Sequence, residues 1–392
     1  MEFVIEKGAL VRELQTVTGV VEKRATLPIL ANLLLEAGRE GLQVGASDLE
    51  VTVRGTARAS VVKEGSVTLP AAKLHEIARS LPEAEVQFKL LDRNQVAISC
   101  ERTRYRISGQ GREDFPKFPD LDVKRGVELP GAALREMIDR VAFAITTEDP
   151  RYSLNGALFI LEPDSMTLVA TDGHRLAYAS RKVDLGQQQG GEQKVIVPRK
   201  ALGEVAKLAS DVEDGQSILF GRSGNHLWFR VGSHFLTSTV LEGNFPRYEN
   251  VMPKACDTAL TLPTSDLTDA VRRVSLLASD RFGKAVKFGL SEGKLELSSE
   301  TEMGEAHETL AVDYTGPDMT IGFNARYLLE FLQAVASPSV RIELNPVKPG
   351  EEGDAAKARS YLEQVAKSRD EMYAATLAAH DLRALDKKEK GK

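Results

Sequence analysis

The sequence predicts an α+β protein of three tandem, similar domains, each built from two strand–helix–strands units. Three observations predict this. One amphipathic helix opening recurs six times at near-constant spacing, each recurrence follows a short strand, and further strand-like runs fill the intervals.

The helices come first. Leu10, Leu14, Val17 and Val21 give a loose apolar stripe. Leu74, Ile77, Ala78 and Leu81 give a tighter one, repeated by Leu134, Met137, Ile138 and Val141. Leu202, Val205, Ala206 and Ala209 follow, then Leu267, Ala270, Val271 and Val274, then Leu328, Phe331, Leu332 and Val335. Apolar residues three and four apart mark helices with one buried face. The leading leucines are separated by 64, 60, 68, 65 and 61 residues. Five copies are entered through "TLPAAKL", "ELPGAAL", "IVPRKAL", "TLPTSDL" and "GFNARYL". Proline suits a helix start because its missing N–H had no partner there.

Between helices lie alternating runs such as "EVQFKL", "QVAISC" and "RTRYRIS", or "SILFGR", "HLWFRV" and "HFLTSTV". Each unit therefore reads as a strand, a helix and about three strands. About 60 residues with one helix make a marginal core, so units should pair. Pairing predicts domains at 1–124, 125–253 and 254–345, with Pro-rich boundaries near "FPKFPDLDV" and "FPRYENVMP".

Composition excludes several classes. The 392 residues are 42% hydrophobic and 28% charged, as in globular proteins. No apolar run approaches the roughly 18 residues of a membrane span, and "MEFVIEKGAL" lacks the pattern of a signal peptide. Cys100 and Cys256 stand apart, in no zinc or disulfide pattern, which suits a reducing cytoplasm. The net charge of −6 conceals segregation. The six helical spans carry 14 Lys and Arg against 10 Asp and Glu, a net +4, so the remainder sums to −10. Such segregation predicts a helical surface facing an anionic partner.

One motif raises the question of catalysis. "VATDGHRLAYAS" (169–180) sets Asp172, Gly173, His174 and Arg175 in a row. Asp-Gly between alternating apolar runs is also a hairpin-turn signal. Leu10 and Leu134 are 124 residues apart, as are Asp48 and Asp172, so the first copy has an aspartate at the same turn, followed by Leu49, Glu50 and Val51. Hydrolysis would need a nucleophile or metal beside His174. The chain has 6 His and 2 Cys and no GxSxG or P-loop pattern, so no catalysis, cofactor or metal is expected.

The motifs "TLPILANLLLEA" (27–38), "RYSLNGALF" (151–159), "VATDGHRLA" (169–177), "VIVPRK" (195–200), "GNFPRYENVMP" (243–253) and "GFNARYLLEFL" (322–332) give the chain a clear resemblance. It resembles the bacterial DNA polymerase III β subunit family, the sliding clamps, over about residues 1–345. The resemblance implies a DNA clamp fold. Two crescents close head to tail into a homodimeric ring, with helices inside around duplex DNA and sheets outside. It implies DNA-facing positions at Arg24, Lys73, Arg151, Tyr152, Arg199 and Lys200. It implies a peptide groove of Leu154, Thr171, Gly173, His174, Arg175, Leu176, Pro246 and Val251, and a dimer contact of Tyr105 and Ile107 with Leu276 and Leu277. The implied partners are duplex DNA of any sequence, the replicative polymerase subunit, the clamp loader, other proteins with a clamp-binding motif, and a second copy. No membrane partner is implied. This chain has Glu148, Ser153 and Asn250 where many relatives have Gln, Tyr and a basic residue. The alternative is a non-encircling interaction module derived from a clamp, with an impaired third domain and groove.

The end departs from the family pattern. After "SVRIELN" (339–345) come "PVKPGEEGD" and a stretch rich in Ala, Glu, Lys and Leu. Residues 346–392 are expected to form an atypical, charged, helical tail, leaving the third domain incomplete and the groove without its C-terminal wall. Tyr361, Leu362, Val365, Met372 and Leu377 are the apolar positions of that expected helix.

Overall fold

The structure, a computed structural model, describes residues 1–22, 27–119, 121, 123, 126–147, 150, 152–186, 193–210, 216–252, 256, 258–278, 285–344, 357–364 and 371–380. The repeat governs it throughout. The first copy is β1 (Glu2–Glu6), α1 (Lys7–Val17), β2 (Asn32–Gly38), β3 (Gly41–Ser47) and β4 (Val51–Ala57), followed by a short β5 (Ser60–Lys63). The second is β6 (Gly65–Pro70), α2 (Ala71–Ser80), β7 (Glu85–Leu90), β8 (Gln95–Cys100) and β9 (Thr103–Ser108). The third is β10 (Val127–Pro130), α3 (Gly131–Val141), β11 (Gly156–Glu162), β12 (Ser165–Thr171) and β13 (Arg175–Lys182). The fourth is β14 (Gln193–Pro198), α4 (Arg199–Ser210), β15 (Ser217–Ser223), β16 (His226–Val231) and β17 (His234–Thr239). The fifth is β18 (Thr258–Pro263), α5 (Thr264–Val274), β19 (Ala285–Ser291), β20 (Lys294–Thr301) and β21 (Gly304–Ala311). The sixth is β22 (Met319–Asn324), α6 (Ala325–Ala334), β23 (Ser339–Leu344), β24 (Lys357–Gln364) and β25 (Glu371–His380).

The leading residues of the helix stripes are buried as their spacing requires, while Val21, Ala206 and Val335 further along them are half-buried. Leu74, Leu134, Leu202, Leu267 and Leu328 are each at most 2% exposed. Pro70 and Pro263 occupy the cap position, one residue earlier than proline's usual place. Asn324 caps α6 with its side chain, accepting from the Arg326 N–H at 2.9 Å.

The chain divides into two compact units, residues 1–135 with 197–240, and residues 136–196 with 241–392. The first unit holds a five-stranded sheet, β5-β1-β7-β8-β9, and an eight-stranded one, β10-β15-β16-β17-β4-β3-β2-β6. Its aromatic core includes Trp228, Phe220 and Phe229. The second unit holds one twelve-stranded sheet, running β14-β11-β12-β13-β25-β22-β19-β20-β21 with β18, β23 and β24 branching from β25. Strand pairing knits copies that are distant in sequence, β4 to β17 in the first unit and β13 to β25 in the second.

The end of the chain corrects the expectation of a helical tail. Residues 357–364 and 371–380 are strands, and they give the sixth copy the same three strands as the others. β24 pairs with β23, and β25 pairs with β13, placing Leu176 opposite Thr376. Ala, Glu and Lys favour helix by only tenths of a kcal/mol per residue. The edges of β13 and β23 offer a ladder of backbone hydrogen bonds, and that context overrides so weak a propensity.

Candidate interaction surfaces

The Asp172 turn is held by its own side chains. Asp172 Oδ1 accepts from the N–H groups of His174 and Arg175, each at 2.9 Å. Thr171 Oγ1 accepts from the Gly173 N–H at 3.1 Å and donates to the Arg175 carbonyl at 2.6 Å. The first copy repeats this. Asp48 Oδ1 accepts from Glu50 and Val51 at 2.9 and 2.6 Å, and Ser47 Oγ from Leu49 at 3.2 Å. The turn needs a left-handed residue, supplied at φ 85° by Gly173 and at φ 81° by Leu49. Glycine adopts that φ freely and leucine pays strain for it.

Each aspartate uses its second oxygen on a different cation. Asp172 Oδ2 accepts from Arg175 Nε at 3.1 Å. Asp48 Oδ2 is paired with Lys200, which also reaches Glu22 at 3.2 Å. Burial works against the Lys200 charge, but the hydrogen bond and charge of Asp48, with those of Glu22, hold its ammonium above the ordinary lysine range. Lys200 is thus engaged within the fold. The other described cationic positions are more open. Lys73 lies on α2 with its side chain 60% exposed, 2.6 Å from Glu76. Arg199 opens α4 at an exposed position, and Tyr152 is 73% exposed. Arg24 and Arg151, with Glu148, lie outside the described residues.

Among the groove positions, Leu154, Thr171 and Leu176 are buried, while Gly173, His174, Pro246 and Val251 are exposed. Leu176 belongs to a cluster with Leu158, Ile160, Val169 and Ile196. Tyr178, Leu241, Phe245, Tyr248 and Met252 pack on it while half-buried. Sequence reasoning missed these five. The signal was present, because "FPRY" at 245–248 repeats "FPKF" at 115–118.

Arg175, expected at the same groove, is bonded beneath that surface. Its side chain is 8% exposed and pairs with both Asp172 and Glu330. It donates to the Phe143 carbonyl, and its guanidinium lies over the rings of Phe143 and Tyr327, at 5.1 and 4.3 Å. It pins β13 to α6 from beneath the turn.

Tyr248 is the perturbed group of the surface. Burial, then the nearby charge of Glu249, pushes its phenol from 10.0 up to about 12. A folded-state value above the unfolded one contributes stability in full below the unfolded value, and that contribution is lost as pH rises through the folded one. The unfolding midpoint should therefore fall more steeply between pH 10 and about 12 in the native chain than in Tyr248→Phe. Parallel curves in thermal melts would refute this.

The positions expected at a dimer contact lie on or beside edge strands. Tyr105 and Ile107 alternate along β9, the last strand of its sheet, with exposed Arg104 and Arg106 between and before them. Leu276, 78% exposed, and half-buried Leu277 follow α5. Leu277 lies beside Gly304, where β21 begins as the last strand of the other sheet. β21 and its neighbour carry exposed Glu305 and Glu296, each an ion partner of His307.

A cleft of about 1280 Å³ in the first unit contains none of the predicted site residues. Its buried Glu13 lies 3.2 Å from His234. Among the described residues no group of three potential metal ligands occurs, and no helix is long and apolar enough to cross a membrane.

Models of the DNA polymerase III beta subunit match in succession: the N-terminal domain over residues 1–119, the central domain over 128–247 and the C-terminal domain over 249–350. A beta sliding clamp of Pseudomonas putida is 35% identical over 348 residues, covering 88% of this chain and 93% of the relative. That of Escherichia coli K12 is 34% identical with the same coverage. Among solved structures, a Pseudomonas aeruginosa sliding clamp bound to griselimycin superposes with a TM-score of 0.86 at 31% identity, covering 97% of this chain and 99% of that one.

Proposed function

We propose, because the chain belongs to the DNA polymerase III beta subunit family, that it is a DNA sliding clamp: a non-catalytic processivity factor that encircles duplex DNA and tethers the replicative polymerase and other partners. The observation that carries this is the succession of three family domains over residues 1–350. It acts in the bacterial cytoplasm. Two chains close head to tail through Tyr105 and Ile107 of one and Leu276 and Leu277 of the other. The domains run 1–124, 125–253 and 254 onward, the third finished by β24 and β25.

The physical logic is topological. Each phosphate contact steepens the log–log salt dependence by about 0.9, so tight grip and free sliding conflict. A closed ring resolves the conflict, because few contacts are needed and none reads bases. Arg24, Lys73, Arg151, Tyr152 and Arg199 orient the duplex. Lys200 contributes chiefly by holding the Asp48 turn. Partners use the surface around Leu176, bounded by Leu154, Thr171, Gly173, His174, Pro246 and Val251, with Arg175 as its support. Griselimycin, bound by the P. aeruginosa relative, is expected to bind there.

The test is retention after loading. Protein loaded on nicked circular DNA should survive a high-salt wash and be lost when the circle is cut. Equal retention on linear and circular DNA would remove the encircling mechanism.

A further inference from the structure

Two surfaces in this molecule are copies of one another and have opposite fates. In the first unit, Leu34, Gly45 and Arg54 face one another across β2, β3 and β4. In the second, Leu158, Val169 and Tyr178 face one another across β11, β12 and β13. Each residue of one row lies 124 positions from its counterpart, the repeat interval. Each row is followed by an aromatic boundary segment, Phe115-Pro116-Lys117-Phe118 or Phe245-Pro246-Arg247-Tyr248.

In the first copy the boundary aromatic closes the surface. A Cβ on Gly45 would collide with Phe118 Cζ, so the ring rests on the bare backbone of the sheet. Phe118 meets Phe115 edge-on at 6.0 Å, and Arg112 lies 5.9 Å from its ring centre. Arg112 is held by Glu36 at 3.0 Å and the Phe115 carbonyl at 3.2 Å. Beneath this lid Ile29, Leu30, Leu34 and Phe115 are all buried. In the second copy the floor position carries Val169, itself fully buried. Tyr248 leans on Tyr178 at 6.1 Å, tilted by 37°. Among the described residues, five apolar side chains remain half-buried around that cluster, against Phe118 alone around the first.

We propose that Val169 is a specificity-determining residue of the peptide groove: its side chain keeps Tyr248 from settling onto the sheet as Phe118 settles onto Gly45, so the middle copy stays open to an apolar peptide while the first is filled by its own chain. This rests on the groove reading above. Selection is steric. A Cβ at the floor position already displaces the aromatic ring from the place Phe118 holds, because the two carbons would lie closer than unbonded carbon atoms approach. Alanine and glycine at residue 169 should therefore differ sharply, although both leave a cavity.

The experiment is calorimetric titration of the full chain with griselimycin. Wild type and Val169→Ala should bind within threefold of each other, and Val169→Gly at least tenfold more weakly. Val169→Gly combined with Tyr248→Ala should bind more tightly than Val169→Gly alone. Equal affinity for the alanine and glycine variants, or a double variant no tighter than the single one, overturns the proposal. A wild type that does not bind griselimycin would instead refute the groove reading. Should Val169→Gly not fold, Gly45→Ala decides. It should expel Phe118 and speed chymotrypsin cleavage after that residue at least tenfold, and unchanged cleavage overturns the proposal.

Discussion

Arg175→Ala should lower the stability of the second unit by about 3 kcal/mol, near the lower bound for breaking a buried pair. The guanidinium is 8% exposed and serves Asp172, Glu330 and the Phe143 carbonyl together. Removing it leaves two carboxylates without the cation that joins them. Asp172 is 17% exposed and loses most, whereas Glu330, at 35%, keeps contact with water, which sets the value at the low end. At about 2–4 °C per kcal/mol, the unfolding midpoint should drop by roughly 6–12 °C. Arg175→Lys should recover little, because an ammonium cannot reach three acceptors in one plane or stack on Tyr327. Adding Glu330→Gln to Arg175→Ala should recover part of the loss, since it removes one orphaned charge. Calorimetry of the four proteins decides. If Arg175→Ala melts within 2 °C of wild type, the ion network is ornamental and Arg175 is free to serve a peptide instead.

That role was hidden in the sequence for a physical reason. The turn was legible because its chemistry is local: an aspartate captures the N–H groups two and three residues on, and the copy at Asp48 does the same. The partners of Arg175 are Phe143, Tyr327 and Glu330, and Tyr327 and Glu330 lie about 150 residues away, where no periodicity points to them. The six helices and their buried stripes were legible because each needs only a few residues of context. The end of the chain was misread for the converse reason. A stretch of good helix formers becomes β24 and β25, since what decides is the unpaired edge of strands already formed. Lys200 shows the same limit. The family pattern places it toward DNA, but its nearest charges are Asp48 and Glu22.

Leu276→Asp combined with Leu277→Asp should turn a dimer into a monomer at micromolar concentration. In a single chain Leu276 is 78% exposed with half-buried Leu277 beside it, an apolar pair available to a second surface. The edges beside the two contacts match in charge. β9 exposes Arg104 and Arg106, and the β20–β21 ribbon exposes Glu296 and Glu305. Two unpaired β edges of opposite charge favour continuous pairing across the junction. Two aspartates set carboxylates where apolar side chains would close, each costing several kcal/mol when desolvated. A combined loss of about 5 kcal/mol per junction raises the dissociation constant more than a thousandfold, at 1.4 kcal/mol per factor of ten. A head-to-tail ring contains two such junctions, so the effect doubles in free energy. The single chain should stay folded. Substituting exposed Leu276 costs within about 0.5 kcal/mol and half-buried Leu277 about 1 kcal/mol, so its melting midpoint should fall by about 3–6 °C. Light scattering would show the change in mass, and griselimycin affinity should stay as in wild type while retention on circular DNA disappears. A wild type that is monomeric at micromolar concentration would refute ring closure itself. A double variant that remains dimeric would place the junction on other residues.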